Sequence, residues 1–106
     1  MPRRADAAHS TEADEAHIAI LAIVRGRVQG VGFRYEARSM ARALGITGWV
    51  MNLDDGGLET WAEGPASAVK RYREWLNQGP PGARVESVDL SEREPRHAWT
   101  TFLVEF

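Results

Sequence analysis

A chain of 106 residues has room for about one domain with its own core and none for a separate cofactor-carrying domain. The absence of cysteine excludes disulfides, a thiol nucleophile and thiolate metal sites, and it fits a reducing cytoplasm. A formal charge of −2 argues against a protein built mainly to bind nucleic acid, so any anion site must be local.

Residues 1–16, MPRRADAAHSTEADEA, hold no large aliphatic or aromatic side chain after Met1. Such a stretch can bury little and reads as a flexible tail ahead of a domain over 17–106. It lacks the apolar centre of a secretory signal, and no later segment approaches the roughly 20 apolar residues of a membrane span. The expectation is a cytoplasmic monomer with neither a membrane nor a nucleic acid as partner.

The run Ile18-Ala19-Ile20-Leu21-Ala22-Ile23-Val24 is short, continuously apolar and β-branched, the pattern of a central strand buried on both faces. A glycine-rich loop follows. Phe33, Ala37, Met40, Ala41 and Leu44 then recur at helical spacing, while Arg34, Glu36, Arg38 and Arg42 take other faces. With Gly45 as the stop, this predicts a first helix over about 33–44. Segments 46–53 and 58–63 flank the turn Asp54-Asp55-Gly56-Gly57 and read as a hairpin. Pro65 is placed for the first turn of a second helix, whose stripe Val69, Tyr72, Trp75 and Leu76 ends before Gly79-Pro80-Pro81-Gly82. A strand over about 84–90 and a last one near 98–106 follow, the latter with Thr100, Phe102, Val104 and Phe106 on one face. The order β-α-β-β-α-β predicts an α+β, ferredoxin-like split βαβ fold, an antiparallel sheet with two helices on one face.

Chemistry concentrates in Gly26-Arg27-Val28-Gln29-Gly30-Val31-Gly32-Phe33-Arg34. Glycines let the loop curl so that backbone N–H groups converge, the helix start adds its own unpaired N–H groups, and Arg34 adds a forked cation. The spacing matches neither the dinucleotide fingerprint nor the nucleotide-triphosphate loop, because Gly32 is followed by Phe33 and Arg34 rather than by Lys and Ser or Thr. The loop therefore predicts phosphate binding by Gln29, Gly30, Val31, Gly32 and Phe33, with Arg34 gripping two phosphoryl oxygens. Asn52, just before the hairpin turn, offers a donor and an acceptor that can orient a water. His9, His17 and His97 share no ligand spacing, and the Asp54-Asp55 turn puts Met51 and Leu53 where a calcium loop needs oxygens. Lys70, Arg71 and Arg73 read as a solvated helix face, and the four tryptophans as packing residues.

From Ile18 to Phe106 the chain resembles the acylphosphatases, on the two motifs Gly26 to Arg34 and Gly48-Trp49-Val50-Met51-Asn52-Leu53-Asp54-Asp55-Gly56. The resemblance implies a metal-independent hydrolase, with no cofactor, that splits the carboxyl-phosphate anhydride of a small acyl phosphate into a carboxylate and inorganic phosphate. It implies that Arg34 and the loop amides bind the phosphoryl group and that Asn52 positions the attacking water. Met51 departs from the basic residue common before that asparagine. Two other readings stand beside this one: a non-catalytic phosphate or acyl-phosphate binding module, and an RNA-binding domain of the same strand order. The first is usually joined to cysteine-rich domains, and the second needs aromatic residues on the central strands, which 18–24 lacks.

Overall fold

Strand β1 (His17–Arg27) alternates between a buried set, Ile20, Ala22 and Val24, and a half-buried set, Leu21 and Ile23. The period is that of a sheet covered by helices on one face only. The computed structural model describes residues 15–106; most of the predicted tail, and His9 with it, lies outside the described residues. After β1 come helix α1 (Phe33–Ala43), strands β2 (Thr47–Asn52) and β3 (Leu58–Pro65), helix α2 (Ala66–Leu76), and strands β4 (Arg84–Arg93) and β5 (Phe102–Glu105). The predicted α+β ferredoxin-like order is observed. The five strands lie in the order β4-β1-β3-β2-β5, antiparallel throughout except for β5 beside β2. The sequence reading placed β1 at the centre with both faces buried; β3 holds the centre instead, and β1 has helices on one side alone.

Both helices turn their apolar stripes onto that side. Phe33, Ala37 and Ala41 of α1 and Val69, Tyr72 and Leu76 of α2 close over Ile20, Val24, Val50, Leu58, Ala62 and Phe102. Tyr72 is fully buried, and its ring meets Phe102 edge-on at 5.6 Å. The Thr60 hydroxyl gives its single proton to the Trp49 carbonyl at 2.8 Å, so the Tyr72 hydroxyl must donate to Thr60 Oγ1, also at 2.8 Å. Burial of Tyr72 raises its phenol far above the usual range, which keeps it a donor. Helix α2 begins after Pro65, which stands as its N-cap rather than in its first turn and lends no side-chain bond. Glu15 serves instead, accepting from the Ser67 amide at 2.6 Å and the Ser67 hydroxyl at 2.8 Å, a carboxylate where a helix start favours one. The Ala66 amide donates to Ala16, so the last two residues of the predicted tail are bound to the domain.

The predicted last strand is shorter than expected. Because β4 and β5 are opposite edges of the sheet, residues 94–101 must cross its whole width, about 19 Å at 4.8 Å per strand. They do so over the face without helices. Trp99 packs on Trp61 with ring centroids 5.8 Å apart, and the Arg96 guanidinium lies 4.6 Å over the Trp61 ring. The amides of Arg96 and His97 donate to the Glu63 carboxylate at 3.1 and 3.0 Å, beside the Trp61 indole N–H at 2.7 Å. These residues therefore serve Glu63 rather than a sheet ladder. Of the face predicted for β5, Phe102 is buried and Val104 half-buried, while Thr100 and Phe106 are exposed.

Glu63 is 1 % exposed. Burial pushes its carboxyl up, but the Trp61 indole, the Arg96 and His97 amides and His17 together outweigh this and hold it below the ordinary 4.5. A depressed folded-state pKa means that the ionised group stabilises the fold fully above about pH 4.5, and that this contribution disappears as pH falls through the lower folded value. Glu63→Gln has one acceptor oxygen for three donors, so it should cost roughly 1–3 kcal/mol at neutral pH. In urea unfolding followed from pH 7 to pH 3, the difference from wild type should shrink toward acid; a constant difference would remove the charge from this role.

Candidate active site

The glycine-rich loop leaves β1 through a bulge, where the register with β4 shifts between Arg25 and Gly26. Gly26 has φ +131, and a Cβ there would fall on the Arg84 carbonyl, so only glycine lets the strand end turn toward α1. The loop is then pinned at both ends by Val28 and Phe33, 1 % and 2 % exposed. Gly30 and Gly32 take φ +77 and +79 with open space where a Cβ would be, and Gly32 is the N-cap of α1 without a side-chain cap bond. Among the described residues, no backbone N–H from Gln29 to Phe33 donates to a backbone carbonyl. A run of unpaired donors opening a helix is suited to hold an anion.

Strands β1 and β2 are both antiparallel to β3, so their C-terminal ends emerge at the same end of the sheet. Leu58 faces Val24 on one side and Asn52 on the other. Asn52 therefore reaches the loop across β3, not as a direct neighbour of β1. Val28, Gln29, Gly30, Gly32, Phe33, Arg34, Tyr35 and Asn52 line one concavity of about 160 Å³. That is well under the roughly 300–1,000 Å³ of sites that enclose drug-sized ligands, and it suits a phosphoryl group rather than a nucleotide. Among the described residues, its lining contains no carboxylate, imidazole or thiol.

The predicted site residues thus come together with one exception. Val31 does not line the concavity and packs against the apolar core, leaving its amide as its only means of meeting a ligand. Arg34 is half-buried in the first turn of α1. Its Nη1 donates to the Glu105 carbonyl at 3.1 Å, and its guanidinium lies 4.7 Å over the Phe106 ring. One of five guanidinium donors is used in this way. Among the described residues, no hydrogen bond engages the side chain of Asn52, which lines the concavity with its amide uncommitted.

One lining residue escapes a sequence reading, and one predicted residue has a second role. Tyr35 lines the concavity at 48 % exposure; its place directly after Arg34 was the available signal. Gln29, read as a loop residue, does more than line it. Its Nε2 donates to the carbonyls of Leu53 and Gly57 at 2.8 and 2.9 Å, tying the phosphate loop to the β2–β3 turn that carries Asn52. Asp55 stiffens the same turn. Its carboxylate accepts from the Gly57 amide at 3.0 Å and Arg25 Nη1 at 2.8 Å, and these two donors hold it below its usual range. Elsewhere the structure brings two of the histidines together. His17 and His97, which share no spacing in sequence, stack with ring centroids 4.8 Å apart.

A family model described as Acylphosphatase matches residues 20–104. An acylphosphatase of Yersinia pseudotuberculosis (serotype O:1b, strain IP 31758) is 47 % identical over 90 residues, covering 84 % of this chain and 97 % of that protein. The crystal structure of acylphosphatase from Bacillus subtilis superposes with a TM-score of 0.81 at 36 % identity, over 84 % of this chain and 99 % of that one. An acylphosphatase structure from Coxiella burnetii gives 0.79 at 38 % identity, over 84 % and 93 %.

The bracing of loop against turn generates a prediction. Gln29→Ala should lower stability by about 1–2 kcal/mol, the worth of two side-chain bonds to backbone carbonyls, and should weaken binding of inorganic phosphate. An unchanged urea midpoint with unchanged phosphate affinity would show that the two segments are held by other contacts.

Proposed function

The chain belongs to the acylphosphatase family and its activity is the hydrolysis of acyl phosphates; we propose that Arg34, the amides of Gln29 to Phe33 and Asn52 carry that reaction. The observation behind this reading is the convergence, on one small concavity, of a forked cation, a run of unpaired N–H groups and an uncommitted amide side chain. Each matches one need of phosphoryl transfer. The transition state is loose, with charge spread over the phosphoryl oxygens, so hydrogen-bond donors held in place before reaction stabilise it most. The loop amides meet those oxygens from one side, and the remaining Arg34 donors grip two of them at once. Asn52 Oδ1 accepts a hydrogen bond from the water and so aims an oxygen lone pair at phosphorus, in line with the departing oxygen.

The bond from phosphorus to the acyl oxygen breaks as the water oxygen bonds to phosphorus. The leaving group is a carboxylate whose acid has a pKa near ~4, so it departs without a general acid. Among the described residues the concavity offers no carboxylate or imidazole base, and the water's proton passes to a phosphoryl oxygen of the substrate. The products are a carboxylate and dihydrogen phosphate, so atoms and charge balance.

Hydrolysis of benzoyl phosphate with inorganic phosphate as competitor tests the assignments. Arg34→Lys keeps a charge and loses the fork, and kcat should fall by at least about 100-fold, the scale of removing one fixed transition-state donor. A near-normal rate would take Arg34 out of the site. Asn52→Ala should lower kcat on the same scale while inhibition by phosphate stays close to wild type. If phosphate inhibition disappears with it, Asn52 is a ligand of the phosphoryl group and does not hold the water.

A further inference from the structure

We propose that His17, Glu63 and His97 form a binding site for a divalent transition-metal ion of the zinc, nickel or copper type, at the end of the sheet away from the phosphate loop. The three residues come from the start of β1, the end of β3 and the crossover between β4 and β5. They meet on the face that carries no helices. Glu63 pairs with Ala19, two residues beyond His17, and residues two apart on a strand share a face. One ligand atom from each residue lies within 4.8 Å of the others. The loop amides are roughly 30 Å away along β1, so this is a second location and not an extension of the first.

The carboxylate is built as a metal ligand needs to be. A ligating carboxylate is held by outer hydrogen bonds that fix its direction. Glu63 Oε1 accepts from the Trp61 indole at 2.7 Å and the Arg96 amide at 3.1 Å. Oε2 accepts from the His97 amide at 3.0 Å and lies 3.6 Å from His17 Nε2. The buried oxygen pair is therefore rigid, with Oε2 directed at the histidines. The two imidazoles are the adjustable members. Both are exposed, and they stack at 23° between ring planes. A tetrahedral ion with bonds of about 2.1 Å needs donors about 3.4 Å apart. From a widest separation of 4.8 Å the rings must turn and close by about 1.4 Å, which exposed side chains do with little loss of packing.

Two imidazoles and one carboxylate form a borderline nitrogen and oxygen set, suited to zinc, nickel or copper rather than to magnesium or calcium. One position of a tetrahedral ion remains for water. Arg96 opposes the ion, since its guanidinium sits beside the cluster over Trp61.

The surrounding tryptophans report on the site. Trp61 is hydrogen-bonded to the ligating carboxylate and Trp99 packs on Trp61, so paramagnetic Ni²⁺ or Cu²⁺ bound there should quench their fluorescence. Titrating the full chain with Ni²⁺ at pH 7.5 should give saturable quenching at one ion per chain. Thermal unfolding should move up by at least ~2 °C at saturating Zn²⁺. His17→Gln and His97→Asn should each weaken Ni²⁺ at least about 10-fold. Asparagine is chosen because residue 97 has φ 54, which it tolerates. His9→Gln should bind as wild type. Both site variants should unfold near the wild-type temperature without metal, separating lost ligation from lost fold. Absence of saturable quenching, equal affinity in the His17→Gln, His97→Asn double variant, or loss of binding in His9→Gln alone would overturn the proposal.

Discussion

An anion cradle requires a folded chain to leave good hydrogen-bond donors unpaired, and the surroundings of the proposed phosphate loop meet that requirement. Backbone N–H groups without acceptors favour any rearrangement that finds them one. The loop must be denied such a rearrangement by contacts that do not use those donors. Val28 and Phe33 anchor its ends through apolar burial alone, and Phe33 is wedged edge-on against Trp75 of α2 at 5.2 Å. Gln29 completes the arrangement with its side chain, bonding the turn while its own amide stays with the loop. Gly30 and Gly32 supply left-handed backbone where a side chain would be strained.

The opposite end of the sheet solves the reverse problem. There the difficulty is a buried acceptor, the Glu63 carboxylate, and the fold brings three donors to it, one from its own strand and two from the crossover. The crossover must pass over the bare face because the strand order puts β4 and β5 on opposite edges. Glu63 fixes where it passes, and Trp99 covers Trp61 once it does. One end of the molecule keeps donors waiting for an anion and the other gathers donors around its own anion, so the two charged regions are separated by the length of β1.

The legible parts of the sequence were those whose cause is local. Helical spacing from Phe33 to Leu44, the Asp-Gly hairpin turn and the proline ahead of α2 each act within a few residues, and each element forms close to its predicted bounds. Arg34 was legible because a charged residue after a glycine loop at a helix start carries its own explanation. Whatever depends on contacts between distant segments was hidden. A continuous apolar run does not say whether a strand is central or second in the sheet, because Leu21 and Ile23 look the same in sequence whether helices or side chains cover them. Gln29 meets carbonyls 24 and 28 residues away, and carbonyls leave no mark in a sequence. Glu63 reads as an ordinary solvated charge on a strand, since two of its partners are the amides of Arg96 and His97. His17 and His97 meet only because the crossover returns to the start of β1.

The strand order also governs how the chain reaches this structure. β1 is flanked by β3 and β4, and Val24 faces both Leu58 and Val88, partners far along the chain. Closing a loop of 64 residues, from Val24 to Val88, carries an entropic term of roughly 3.7 kcal/mol from its length alone, beyond the fixed cost of joining its ends. Few native contacts compensate it until β3 and α2 are in place. During synthesis the apolar β1 emerges first and waits for both partners, and no helix of its own shields it meanwhile. A topology dominated by such distant pairings folds slowly for its size, and the passage from ribosome to native sheet is the stage at which this chain is most exposed to aggregation.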